Sequence, residues 1–103
     1  MEAQMKKGLL EMCVIFTIRD KTMYGYDIMK QMRQYFPDVN ESTFYAILRR
    51  LNSEGYARIT LGEESKGPTR KYYSITESGR EYLNNALRDW RNIKEIITRI
   101  GIE

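Results

Sequence analysis

The side chains with most to offer a partner lie close together, in NESTFYAILRRLNSEGY at residues 40–56. Ser42, Thr43 and Tyr45 supply hydroxyls; Arg49 and Arg50 supply guanidinium groups. This is a donor set. It hydrogen-bonds to anionic oxygens and to base edges, and it exchanges no protons at neutral pH. Histidine is absent from the 103 residues, and there is one cysteine, Cys13. The usual general base, the commonest metal ligand and the partner that activates a serine or cysteine nucleophile are therefore missing. A zinc site of nitrogen and sulfur ligands cannot be assembled. Neither GxxxxGK(S/T) nor GxGxxG occurs, so no cofactor is expected. Binding, not catalysis, is the expectation.

Spacing sharpens it. At 100° per residue, Phe44, Ile47, Leu48 and Leu51 share one helical face, which would seat on a core. Ser42, Ala46, Arg49 and Ser53 lie opposite, flanked by Thr43, Tyr45 and Arg50. A merely solvated face is usually rich in Glu and Lys; this one has no lysine and keeps Glu41 and Glu54 at its ends. Short hydroxyls, a small residue and arginine suit a helix that enters the DNA major groove. Seventeen Lys and Arg against fourteen Asp and Glu give a net charge of +3, which permits such a partner.

The elements that must position this helix follow from periodicity. Residues 4–18 predict a helix apolar nearly all round, from Leu9 through Ile18, which one small chain can cover on one side only. Residues 24–36 predict a second helix, with Tyr24, Ile28, Met32, Tyr35 and Phe36 inward, ended by Pro37. Asn40 is the expected N-cap of the third helix, about 41–54. Two helices joined by so short a turn make a helix-turn-helix. Ala57, Ile59 and Leu61 then alternate with polar residues, and RKYYSI alternates again, so residues 57–75 predict a β-hairpin wing. Lys66 and Arg70 are its expected phosphate contacts, since Glu63 and Glu64 would be repelled. Tyr26 and Lys30, early in the second helix, are further phosphate candidates; Tyr24 is assigned to the core. Thr76 with Glu77, or Ser78 with Glu81, opens a last helix reaching about Arg99.

That helix carries Leu83, Ala86, Leu87, Trp90, Ile93, Ile97 and Ile100 at three- and four-residue steps. The first helix alone cannot cover this seam, so a second copy of the chain is expected against both. The fold class expected is mainly α with a small β-hairpin. It comprises a winged helix-turn-helix (1–75) and a long C-terminal dimerisation helix (76–103) packed with the first helix. The longest apolar run, Leu9–Phe16, is too short to span a membrane, and no signal-peptide pattern precedes it. A lone cysteine suits a reducing compartment, so a cytoplasmic protein is expected.

Taken together, YGYDIMKQM, NESTFYAILRRLNSEGY and GPTRKYYSITESGREYL resemble the PadR family of bacterial transcriptional regulators, from about Met5 to Ile97. The resemblance implies a homodimeric winged-helix repressor on double-stranded DNA bearing an inverted repeat. It implies base or phosphate contacts from Ser42, Thr43, Tyr45 and Arg49, and from Lys66, Arg70 and Lys71 on the wing. ALRDWRNIKEII looks like the short multidrug-sensing branch, in which such a tryptophan pairs with its two-fold mate around a planar aromatic ligand. The effector-binding residues implied are Trp90 and Ala86, with Met12 and Met5 as adaptable walls. Lys94, one turn after Trp90, would disfavour a cation, so a neutral or anionic effector is expected. A plain interface anchor is the simpler reading of Trp90. A winged-helix protein–protein module without DNA or effector is the alternative reading of the whole. A carboxylate hydrolase is a third, unsupported by any paired-carboxylate motif.

Overall fold

The first helix, α1 (Ala3–Thr17), is the element on which the rest assembles. The computed structural model describes residues 3–62 and 69–103. Leu10, Val14 and Ile15 of α1, with Ile18 just past its end, are buried. They pack with Ile28, Met29 and Met32 of α2 (Gly25–Tyr35) and with Phe44, Ile47, Leu48 and Leu51 of α3 (Glu41–Ser53). All four apolar positions expected on the inner face of α3 are buried, each contributing about 1.5–3 kcal/mol by leaving water. Arg33 ties the α2–α3 turn: Nε donates to the Val39 carbonyl at 3.1 Å and Nη2 to that of Pro37 at 3.2 Å. Asn40 stands at the N-cap of α3, although its side chain makes no capping bond.

Two expectations for the second helix need correction. Tyr35 is 71% exposed, and Met29 takes the inward place assigned to it. Tyr24 is extended and lies outside the helix; with Met23 it forms a short strand, β1 (Met23–Tyr24). This pairs antiparallel with β3 (Lys71–Ile75), Tyr24 opposite Tyr72, and β3 pairs in turn with β2 (Ala57–Leu61). The wing is thus the outer part of a three-stranded sheet in the order β1-β3-β2. The sheet roots it on the entry to α2.

The last helix, α4 (Glu77–Ile100), starts where expected. Thr76 Oγ1 accepts from the Gly79 N–H at 3.0 Å and donates to the Gly55 carbonyl at 2.6 Å. Gly79 is there because a Cβ would run into the Tyr56 carbonyl and Ile75. Leu83 is buried and Leu87 half-buried against α1, but from Arg88 onward every residue is exposed. The radius of gyration, 15.2 Å, exceeds the roughly 13 Å of a compact chain this long because α4 projects from the body.

Candidate nucleic-acid interface

The outward face of α3 presents Ser42, Thr43, Ala46, Arg49 and Ser53, all exposed, with Tyr45 half-buried at one side. On that side lies a recess of about 230 Å³ walled by Tyr24, Tyr26, Tyr45, Arg49, Lys71 and Tyr73. Three elements converge there: β1 running into α2, the middle of α3, and β3. The phenol rings support the cations around them. Tyr24 lies 5.9 Å from Tyr26 and 5.6 Å from Tyr72, centroid to centroid. The Arg70 guanidinium is 5.1 Å from the Tyr24 ring, and Lys30 Nζ is 5.9 Å from the Tyr26 ring. Both are within cation–π range, so the rings restrict where these charges can point.

The hydroxyls in the recess are donors. Burial, then the nearby Glu41 carboxylate, pushes the Tyr45 phenol above its ordinary range. Burial also raises Tyr73, against the opposing pull of Arg49. Protonated phenols beside Arg49, Arg70 and Lys71 form a surface for anionic oxygens. Sequence periodicity finds Tyr45, Arg49 and Arg70 but assigns Tyr24 to the core. Its place on this wall depends on β1, which two residues cannot announce. Lys66 lies outside the described residues.

Arg50 is a correction. It stands beside Thr43 and Ala46 at the edge of the outward face nearest α1, and its side chain reaches across to α1. There Nη1 donates to Glu11 Oε2 at 3.1 Å. Glu11 is 4% exposed, and the same oxygen accepts from the Tyr82 hydroxyl at 3.1 Å. Periodicity misses this pair. The available signal was one acid inside the greasy run LLEMCVIF, which demands a cation from elsewhere in the chain.

A second concavity lies along α1 and α4, a groove of about 670 Å³ whose walls include Met12, Tyr82, Ala86, Trp90, Ile93 and Ile97. Trp90, Ala86 and Met12 are therefore brought together as expected. The Met5 side chain lies outside the described residues. Lys94 is not on this groove; it lies with Arg91, Glu95, Thr98 and Arg99 on another face. The groove is centred between Ala86 and Ile93, and at 100° per residue Lys94 is rotated roughly 100° away from that line. Asp89 lines the groove instead. Among the described residues no group of His, Cys, Asp or Glu could hold a metal ion. None of their helices is long and apolar enough to cross a membrane.

A family model described as the transcriptional regulator PadR-like family matches residues 14–85, from α1 into α4 and across the whole recess. The chain belongs to the PadR-like family. Members of this family regulate transcription and are not enzymes. An uncharacterised protein of Lysinibacillus sphaericus is 33% identical over 94 residues, covering 88% of this chain and 86% of its own. The crystal structure of a PadR-like transcriptional regulator from Bacillus cereus is 33% identical with a TM-score of 0.81, covering 95% of this chain and 96% of that one. A PadR-like transcription factor from Bacteroides fragilis gives 0.84 at 30% identity, covering 96% of each chain. The PadR fold therefore extends over α4, although the family model stops at residue 85, short of Trp90.

Proposed function

We propose that this PadR-like regulator works in the cytoplasm as a homodimeric repressor on double-stranded DNA, at an inverted repeat with half-sites about 10 bp apart. The observation that carries the proposal is the phenol-and-cation recess set beside a polar reading face on α3. Ser42, Thr43 and Arg49 address base edges; Tyr26, Lys30, Tyr45, Arg70 and Lys71 take phosphates; Arg50 braces the edge of α3 against α1. A second copy of the chain covers the apolar side of α4, placing the two Trp90 rings near the two-fold axis. A planar aromatic effector between them relieves repression. With Asp89 on the groove and Lys94 off it, that effector carries positive charge, the reverse of the expectation from sequence.

Selection of duplexes from a random pool tests the DNA reading: the enriched sequences should be two-fold symmetric and bound by two chains. An asymmetric site held by a single chain would overturn it. Quenching of Trp90, the sole tryptophan, tests the effector. Planar cationic dyes should bind one per dimer and more tightly than anionic dyes of equal size, and Asp89→Asn should remove that preference. A Trp90→Ala variant that binds the dyes as the wild type does would eliminate the sandwich.

A further inference from the structure

Glu11 is the one buried charged side chain among the described residues, and only one of its two oxygens has partners. Oε2 accepts both from Arg50 Nη1 and from the Tyr82 hydroxyl, whereas Oε1 is buried with none. A bridge that served stability alone would be better built as a bidentate pair, with both oxygens on the guanidinium. What the observed arrangement provides is a junction. Arg50 belongs to α3 and directly follows Arg49 on the reading helix. Tyr82 belongs to α4, and its side chain is part of the wall of the Trp90 groove. Met12, the next residue after Glu11, is another part of that wall. Groove and reading helix thus hold the same oxygen atom.

We infer that Glu11 is a positioning residue for DNA recognition, fixing α3 through Arg50, and that Tyr82 makes this position answer to whatever occupies the Trp90 groove. The inference rests on the reading of α3 as the DNA-reading helix. Tyr82 is stacked on Tyr56, with centroids 4.4 Å apart and planes 18° from parallel, so its hydroxyl has a defined aim. A molecule that draws Tyr82 toward the groove removes its bond to Oε2. A small movement of Arg50 then brings a second N–H onto Oε1, and a shared single bridge becomes a bidentate pair. That movement shifts the edge of the reading face that bears Thr43 and Ala46. Two discrete arrangements, each favoured from a different site, are the physical requirement for coupling.

The test uses the full chain and two duplexes: one enriched by the wild type from a random pool, and a scrambled version of it. The readout is the ratio of the two affinities at fixed salt. Tyr82→Phe, which removes one oxygen and leaves the ring stacked, should lower that ratio by about three- to thirtyfold, the range seen for coupling residues without ligand contact. The salt slope should stay at the wild-type value, because no phosphate contact is touched. Glu11→Gln should lower the ratio too, and the double variant should fall no further than the larger single effect, since both act through Arg50. A Tyr82→Phe ratio within about twofold of wild type overturns the inference, as do additive effects in the double variant. If Glu11→Gln fails to fold, Tyr82→Phe decides alone. A wild type that enriches no duplex would overturn the DNA reading of α3 and this inference with it. A wild type that does so, while Tyr82→Phe matches it, overturns the inference only.

Discussion

On α3 the exposed face is Ser42, Thr43, Ala46, Arg49 and Ser53, without a single large apolar side chain. On α4, beyond Leu87, the exposed face includes Trp90, Ile93, Ile97 and Ile100, between 37% and 68% exposed. Both helices bury one side on the domain and turn the other to solvent, but water treats the two exteriors differently. It solvates hydroxyls and guanidiniums well, so the α3 face needs no cover and gains only from a partner that offers better acceptors. It solvates a row of isoleucines poorly, so the α4 face gains by being covered. Two open surfaces on one small chain therefore call for two kinds of partner, one polar and anionic, the other apolar and matching in shape.

The comparison is broken most forcefully on α4. Ile97→Asp puts a charge into the seam that a second copy is proposed to bury. The cost of an unpaired buried charge is several kcal/mol, so dimer affinity should fall by roughly 100-fold or more. Light scattering after size exclusion should show monomers, and DNA affinity should drop with them although α3 is untouched. The apparent thermal midpoint of the wild type should rise with chain concentration and that of the variant should be lower and independent of it, because dimerisation stabilises the folded chain by mass action. A variant that stays dimeric would place the partner surface elsewhere.

Phe44→Ala attacks the hidden side of α3. The ring is fully buried, so deleting it should cost about 3–5 kcal/mol of stability, read from the denaturant midpoint. A loss below about 1 kcal/mol would mean that α3 is not seated through this face.

Neighbouring arginines give a finer contrast. Arg49→Ala should leave stability alone and cost about 1–3 kcal/mol of DNA affinity, with relaxed preference at one base position if it reads guanine. If it meets phosphate only, all duplexes should weaken alike and the salt slope should fall by about 0.9. Arg50→Ala should lower the ratio of enriched to scrambled affinity at an unchanged salt slope and act chiefly on stability, costing about 1–3 kcal/mol because the buried Glu11 loses its cation. That figure is discounted for the 41% exposure of the Arg50 side chain. Equal effects of the two substitutions on DNA and on stability would erase the distinction between face and buttress.

These examples show what periodicity reaches. Phe44, Ile47, Leu48 and Leu51 repeat at the spacing of one helical face, and so their burial is legible. The outward residues of α3 are legible by subtraction. Arg50 is not, since its partner lies 39 residues away in sequence and only the packing of α1 against α3 brings them together. Lys94 fails for a related reason. A helical wheel locates it near Trp90, but the centre of the groove is set by where α1 lies against α4, which the wheel does not contain. The recess is half legible. Its Arg49 and Tyr45 can be named in advance, while Tyr24 joins it only through β1, whose two residues have no period to detect.

The smallest expected effect again separates the two helices, this time through their phenols. Burial pushes Tyr82, beside α1 and α4, above the ordinary value of 10.0, with the Glu11 carboxylate second and Arg50 opposing. Tyr45, on the DNA side, is raised by burial and by Glu41. In the unfolded chain each phenol ionises at its ordinary value; in the folded chain it holds its proton to higher pH. Between those two values the unfolded state binds fewer protons, so stability falls as pH rises. The contribution is intact below about pH 10 and is lost as pH climbs through the folded value. Tyr82 contributes more directly than Tyr45, because its ionisation sets a phenolate against the Glu11 carboxylate and removes a donor from it. Urea midpoints should therefore hold steady at neutral pH and decline above about pH 10. Phenylalanine cannot ionise, so Tyr82→Phe should flatten part of that decline, whereas Tyr45→Phe should chiefly weaken DNA binding at neutral pH. If Tyr82→Phe declines as steeply as the wild type and Tyr45→Phe binds DNA unchanged, neither phenol has the role that its neighbours give it.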